Sequence, residues 1–232
     1  METETGQDLF LDRLLSVMTQ NQQTAPVDGL DVYICGASSP LSTTGNAQSC
    51  VFIIAGNRSF VVDTGPGSPR VIRRLGLPLN NLEAVLLTHF HGDHISALGD
   101  VNFNSWVAGR GKKLTVMGPE GVDLVVNGFN QAYSLDSSYR TRHHGWDILP
   151  LEYSVMQTKT IEAGLLFEED GLSIRAFRVD HSPIEPAVGY RFDYKGRSVA
   201  VSGDSIVTED YREAVDGVDL LLACLLYTSP SP

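Results

Sequence analysis

At 232 residues, with 42% hydrophobic and 19% charged residues, the chain can bury one sizeable core, and it carries no low-complexity tract and no internal repeat. A formal net charge of -11 argues against a surface that is basic throughout, as a phosphate-backbone binder would want. Two short basic groups remain, Arg70 with Arg73 and Arg74, and Arg110 with Lys112 and Lys113, and they read as a helix end and a turn. The opening METETGQDLF has neither the basic region nor the apolar stretch of an export signal, and no apolar run spans a bilayer. A cytoplasmic location without membrane contact is therefore expected, with the periplasm as the alternative.

Along residues 1–28, Leu11, Leu14, Leu15 and Met18 fall at helical spacing, which predicts a short helix over Leu9 to Met18 followed by a polar leader. A domain from 29 to 223 follows. It opens with strands at Leu30–Ile34, Val51–Ala55 and Ser59–Val62, the last two joined by a Gly56-Asn57 turn. A tight loop at Asp63-Thr64-Gly65-Pro66-Gly67 precedes a helix near Pro69–Leu75, and a strand follows at Ala84–Thr88. Further along come a strand at Leu114–Met117, a helix from Pro119 to about Phe129, and strands at Leu172–Val179, Val188–Phe192 and Ser198–Val201. The last two meet at an Asp193-Tyr194-Lys195-Gly196 turn. A helix near Thr208–Ala214 and a buried strand from Asp219 to Ala223 close the series. The expected class is α/β, with mixed sheets carrying helices on their outer faces. Three cysteines, Cys35, Cys50 and Cys224, give no even framework and no metal-type spacing, so Cys35 and Cys50 read as buried or free thiols.

The chemistry concentrates in Thr88-His89-Phe90-His91-Gly92-Asp93-His94. Half of the chain's six histidines fall there, at the end of an apolar strand. Imidazole and carboxylate are donors that zinc, iron and manganese accept. Extended geometry points His89 and His91 the same way, and Gly92 lets the chain turn so that Asp93 and His94 face a second position. His181 and Asp204 each end another strand and supply further candidate donors.

The Thr88-to-His94 segment resembles the signature of the metallo-β-lactamase superfamily. Supporting segments are Val62-Asp63-Thr64-Gly65, Val188-Gly189-Tyr190-Arg191 and Ser202-Gly203-Asp204, and within the superfamily the chain is most similar to the ribonuclease Z and arylsulfatase-like branch. The resemblance implies an αββα sandwich. It also implies that His89, His91 and His181 hold one ion and Asp93 and His94 a second, with Asp204 bridging. Two divalent metal ions are implied, zinc first and manganese or iron as alternatives. They would generate hydroxide from a shared water near neutral pH, with Asp93 as the catalytic proton acceptor. Asp63 is expected to orient a ligand histidine rather than bind metal. His143 and His144 are candidate substrate-binding side chains, although a polar surface loop is the plainer reading.

The family draws another histidine for the second ion from nearer the C-terminus, and no histidine follows His181 here. The tail from Cys224 to Pro232 resembles the translation of a sequencing-library adapter, so residues 224–232 are expected to be non-native and the domain incomplete. An inactive metal-binding fragment is then one alternative. Ribonuclease Z enzymes also carry an RNA-gripping arm between the third histidine and the bridging aspartate, where only a short hairpin stands here. The expected substrate is accordingly a small phosphodiester, sulfate ester or similar anionic ester, with RNA less favoured and a homodimer as an assembly to test.

Overall fold

The computed structural model describes residues 28–39, 41 and 45–225; the helix expected over Leu9 to Met18 lies outside them. Among the described residues, eleven strands form two sheets. The first runs β1-β2-β3-β4-β5-β6, with β1 Leu30–Gly36, β2 Cys50–Ala55, β3 Arg58–Val62, β4 Leu82–Leu86, β5 Thr115–Gly118 and β6 Gln157–Thr160. Its β1, β2 and β3 pair antiparallel, and β3 through β6 pair parallel. The second runs β11-β10-β9-β8-β7, with β7 Gly164–Glu169, β8 Leu172–Arg178, β9 Val188–Tyr194, β10 Arg197–Ser205 and β11 Leu220–Leu225. All its pairs are antiparallel except β10 with β11.

Side-chain alternation explains the layering. In β2, Cys50, Phe52 and Ile54 face helices, while Val51, Ile53 and Ala55 face the other sheet, so both sides are buried and the segment reads as a continuous apolar run. Between the sheets Ile53, Phe60, Val62 and Leu86 meet Ile174, Tyr190, Phe192 and Val199. Each fully buried side chain of this size stabilises the fold by about 1.5–3 kcal/mol. Outside the first sheet lie α1 Ser68–Arg74, α2 Gly92–Ile95, α3 Leu98–Val107 and α4 Val122–His144, which bury Ile72, Leu98, Val101, Val122 and Val126. Outside the second lies α5 Glu209–Val215, where Tyr211 packs on Phe177 and Ala200. Helix, sheet, sheet, helix is the predicted order of layers.

Several expectations are corrected. Cys35 and Cys50 are joined in a disulfide, not free thiols. Their pairing follows from the antiparallel β1–β2 register, which shifts between Ile34 and Gly36 and sets Cys35 beside Cys50, a geometry that cysteine spacing does not show. Closing a loop of 15 residues contributes about 3 kcal/mol. The last strand is not buried: among the described residues β11 pairs only with β10, and Leu220 and Leu221 are exposed. That strand also takes in Cys224 and Leu225, the first two residues of the adapter-like tail. The helix expected to stop near Phe129 continues to His144.

Candidate metal centre

The donors gather at one rim of the sandwich, where the C-terminal ends of β3 and β4 face the loop after β8 and the end of β10. β4 runs into Thr88-His89-Phe90-His91, and α2 then carries Asp93 and His94. His181 follows β8. The Ile206 amide donates to the Asp180 carbonyl at 2.9 Å, which fixes the His181 loop against the end of β10. Within β10 the β11 register shifts between Val201 and Asp204, a bulge that re-aims the Asp204 carboxylate. Two glycines permit the close approach. A Cβ on Gly203, whose φ is 63°, would meet the Thr88 side chain, and one on Gly65 would strike the Asp93 carbonyl and the Ser49 amide.

Two donor groups result. His89 Nε2 lies 3.0 Å from His91 Nδ1, and His181 Nε2 lies 3.2 Å from the same atom. Three ring nitrogens pointed at one place cannot all be satisfied by sharing protons among themselves. Their separations are close to the roughly 3.3 Å between neighbouring nitrogens around a tetrahedral ion. Burial first, then the neighbouring His94, pushes His89 down to about 4, so its lone pair is free at neutral pH. His181 is lowered as well, by burial first.

The second group is His89, His94 and Asp204. His94 Nε2 lies 3.4 Å from Asp204 Oδ1 and 3.6 Å from Asp93 Oδ2. The Asp204 contact has ion-pair distance without hydrogen-bond alignment, and Oδ1 is buried with no hydrogen-bond partner. A buried carboxylate oxygen without a hydrogen bond, facing imidazoles, is what a cation would satisfy. The donor chemistry of both groups therefore fits divalent metal.

Behind them, Asp63 bonds His94 Nδ1 at 2.7 Å through Oδ2, accepts from the Thr88 amide at 2.9 Å and the Thr88 hydroxyl at 2.8 Å, and is 1% exposed. Asp63 itself has φ 58°, an uncommon backbone for a non-glycine residue, held by the Leu86 carbonyl, which accepts its amide at 3.0 Å. Burial opposes protonation of His94, but the Asp63 and Asp204 carboxylates outweigh it and raise the group to about 10. Asp204 is held well below the usual carboxylate range: burial pushes up, and His94 overrides it.

The structure thus brings His89, His91, Asp93, His94, His181 and Asp204 together, with Asp63 beneath them. It does not bring His143 and His144 there. Helix α4 begins beside the centre, where Gly121 lies against Phe90, and its 23 residues carry the chain about 34 Å away to two exposed imidazoles. Thr88 was missed by sequence reasoning. Its hydroxyl lies 3.1 Å from His89 Nδ1 and joins that ring to Asp63; its place directly before His89 was the available signal.

A two-sheet sandwich bearing a histidine and aspartate cluster on one rim defines a class of hydrolase, and the sequence profile of the metallo-beta-lactamase superfamily matches residues 43–220. The chain belongs to that superfamily and is a metallo-β-lactamase-fold hydrolase. It is 34% identical over 196 residues to a protein named ribonuclease Z from Mycobacterium bovis, covering 83% of this chain and 69% of that one. A second ribonuclease Z, from Mycolicibacterium gilvum, is 33% identical over 196 residues, covering 83% of this chain and 68% of that one. Among solved structures, human tRNase Z, short form, aligns with a TM-score of 0.63 at 20% identity, covering 82% of this chain and 76% of that one. A metallo-beta-lactamase fold protein from Bacillus subtilis aligns at 0.61 with 18% identity, covering 84% and 71%.

Proposed function

We propose that this chain is a metal-dependent phosphodiesterase whose substrate is RNA. His89, His91 and His181 would hold one divalent ion and Asp93 and His94 a second, with Asp204 available to both; zinc suits these nitrogen and oxygen donors, and manganese or iron would be accepted. The observation that carries the reading is the convergence of donors from both sheets around a buried carboxylate oxygen without a hydrogen bond. Divalent ions there would lower the pKa of a water and offset charge developing on the phosphoryl oxygens.

The chain's own residues do the rest. Asp63 accepts the Nδ1 proton of His94, which leaves Nε2 to face Asp93 and Asp204. The Thr88 hydroxyl, donating to Asp63, keeps His89 and His94 in one rigid assembly. Asp93 and Asp204 line a cleft of about 470 Å³ open to solvent. Asp93 accepts the proton of the attacking water at its carboxylate.

The relatives named ribonuclease Z move the substrate from a small anionic ester toward RNA. A small phosphodiester or sulfate ester stands as the second reading on one observation: β9 and β10 are joined only by Lys195 and Gly196, so no arm lies between them to grip RNA. The domain spans 29–223 in this reading, with residues 224–232 as a non-native, adapter-like tail. Metal content of the purified chain is measured together with cleavage of a precursor transfer RNA, a chromogenic phosphodiester and an aryl sulfate. Bound metal with RNA cleavage supports the first reading, and ester cleavage alone supports the second. Absence of bound metal after reloading would overturn both.

A further inference from the structure

We propose that Arg70 and Arg74, on the exposed face of α1, hold the RNA backbone beside the metal centre, so that the strand leaving the scissile phosphate crosses residues 36–39 and meets these two guanidinium groups. The inference rests on the reading of RNA as the substrate and names how that strand is held. Helix α1 carries Arg70, Arg73 and Arg74 in seven residues, all three exposed. Arg70 and Arg74 are one turn apart on the same face, about 6 Å along the axis. Elsewhere in this acidic chain Arg58, Arg191 and Arg212 each pair with a carboxylate, whereas among the described residues none of the α1 arginines is in an ion pair. The helix dipole favours cations in a last turn and accounts for Arg73 and Arg74. It disfavours Arg70 in the first turn, where no acidic residue stands.

The fold fixes α1 relative to the donors. The loop that enters it is tied to α2, because the Thr64 amide donates to the His94 carbonyl at 2.6 Å and the Ala97 amide to the Thr64 carbonyl at 2.8 Å. Two clefts adjoin next to that loop. The first, of about 470 Å³, holds Asp93, His94 and Asp204; the second, of about 510 Å³, holds Val71 and Arg74. Ile34 and residues 36–39 line both, so a chain lying in the first cleft passes over them into the second. Arg70 spends one donor on the Gly45 carbonyl at 3.2 Å, beside Asn46 and Ala47 of the second cleft, and its guanidinium keeps others for a phosphate.

Charge separates the two clefts and points to a polyanion that occupies both. The first presents the Asp93 and Asp204 carboxylates, which repel a phosphate until divalent ions offset them. The second is lined by no acidic side chain and carries a guanidinium, whose N–H donors suit phosphate oxygens. Between them Ser38 and Ser39 offer hydroxyl donors, and Ile34, 55% exposed, offers a base an apolar surface. A strand with one phosphate at the ions therefore places later phosphates toward Arg74 and Arg70. A small ester that ends within the first cleft reaches neither.

The salt dependence of RNA binding tests the proposal. Fluorescence anisotropy of a labelled precursor transfer RNA is followed across a salt series with the full chain carrying Asp204→Ala, which slows cleavage. Adding Arg70→Ala with Arg74→Ala is expected to weaken binding about tenfold or more at low salt and to flatten the slope of log affinity against log salt by about 1.5. Arg70→Lys with Arg74→Lys keeps both charges and is expected to keep most of that slope, which separates phosphate contact from a disturbed helix. Arg175→Ala, on β8, is expected to leave affinity within about twofold. With Asp204 intact and metal loaded, the double alanine variant should raise KM for the precursor about tenfold and leave kcat/KM for a chromogenic phosphodiester within about twofold. Unchanged RNA affinity and slope in the double alanine variant would overturn the proposal and leave the arginines to a protein or lipid partner. An equal loss in Arg175→Ala would overturn it too, by showing that any lost cation suffices. RNA cut with wild-type salt dependence by the double alanine variant sinks this proposal alone, and RNA held through the arginines but not cut sinks the catalytic reading alone.

Discussion

The two halves of the donor cluster are built differently. In the imidazole half, His89, His91 and His181 come from both sheets, meet nitrogen to nitrogen, and have no carboxylate within a hydrogen bond. In the carboxylate half, His94 is held by Asp63 from behind and faces Asp93 and Asp204 in front. Burial, with His94 beside it, holds His89 down to about 4, whereas the Asp63 and Asp204 carboxylates keep a proton on His94. His89 is therefore ready for a cation as folded, and His94 must first give up a proton.

Asp204 is the residue most able to break the contrast, because under the proposed function it would serve both halves. Asp204→Ala is expected to lower phosphodiester hydrolysis on the order of a thousandfold and to reduce bound metal at both positions, read by steady-state kinetics and elemental analysis. Replacing Asp63 by Asn keeps the shape but removes the charge behind His94. A loss of about 10–100-fold in affinity at the carboxylate half is expected, with the imidazole half unchanged in a metal titration.

Varying pH sharpens the same distinction. With His94 raised to about 10, uptake at the carboxylate half should gain up to about tenfold per pH unit between roughly pH 7 and 10, while His89, pushed down to about 4, adds no such dependence. The sign reverses for stability of the ion-free protein. A raised histidine stabilises the fold fully below pH 6.5, and that contribution is lost as pH rises toward 10. Chemical denaturation across this range reads it. The smallest effect belongs to His143→Ala with His144→Ala, expected to change kcat/KM by less than about twofold, since the helix takes both rings far from the cluster.

What could be read from residues alone follows burial. The strands of the inter-sheet core, such as Val51 to Ala55, are apolar on both faces and announce themselves, and the histidine spacing after β4 is local in sequence. β6 and β7 gave no such signal. Gln157, Thr158, Lys159 and Thr160 are all exposed at a sheet edge, so their strand exists through pairing with β5 and not through side-chain pattern. The disulfide and the Thr88 contacts escaped for a related reason: each depends on which strands lie side by side, and a linear spacing carries no such information. His143 and His144 read as loop residues because the end of the long helix, with Arg140, Arg142 and a glycine after it, has the composition of a loop.

The bond between Cys35 and Cys50 has a practical consequence at the bench. It closes the segment that ends in Ser49, whose hydroxyl lies 3.4 Å from Asp63. Expression in a reducing compartment, or purification with dithiothreitol, would open that clasp, and a dithiol also sequesters thiophilic metals. A preparation made that way would confuse loss of cofactor with loosening of the wall behind it, so an oxidising host and a thiol-free buffer belong at the start of the work.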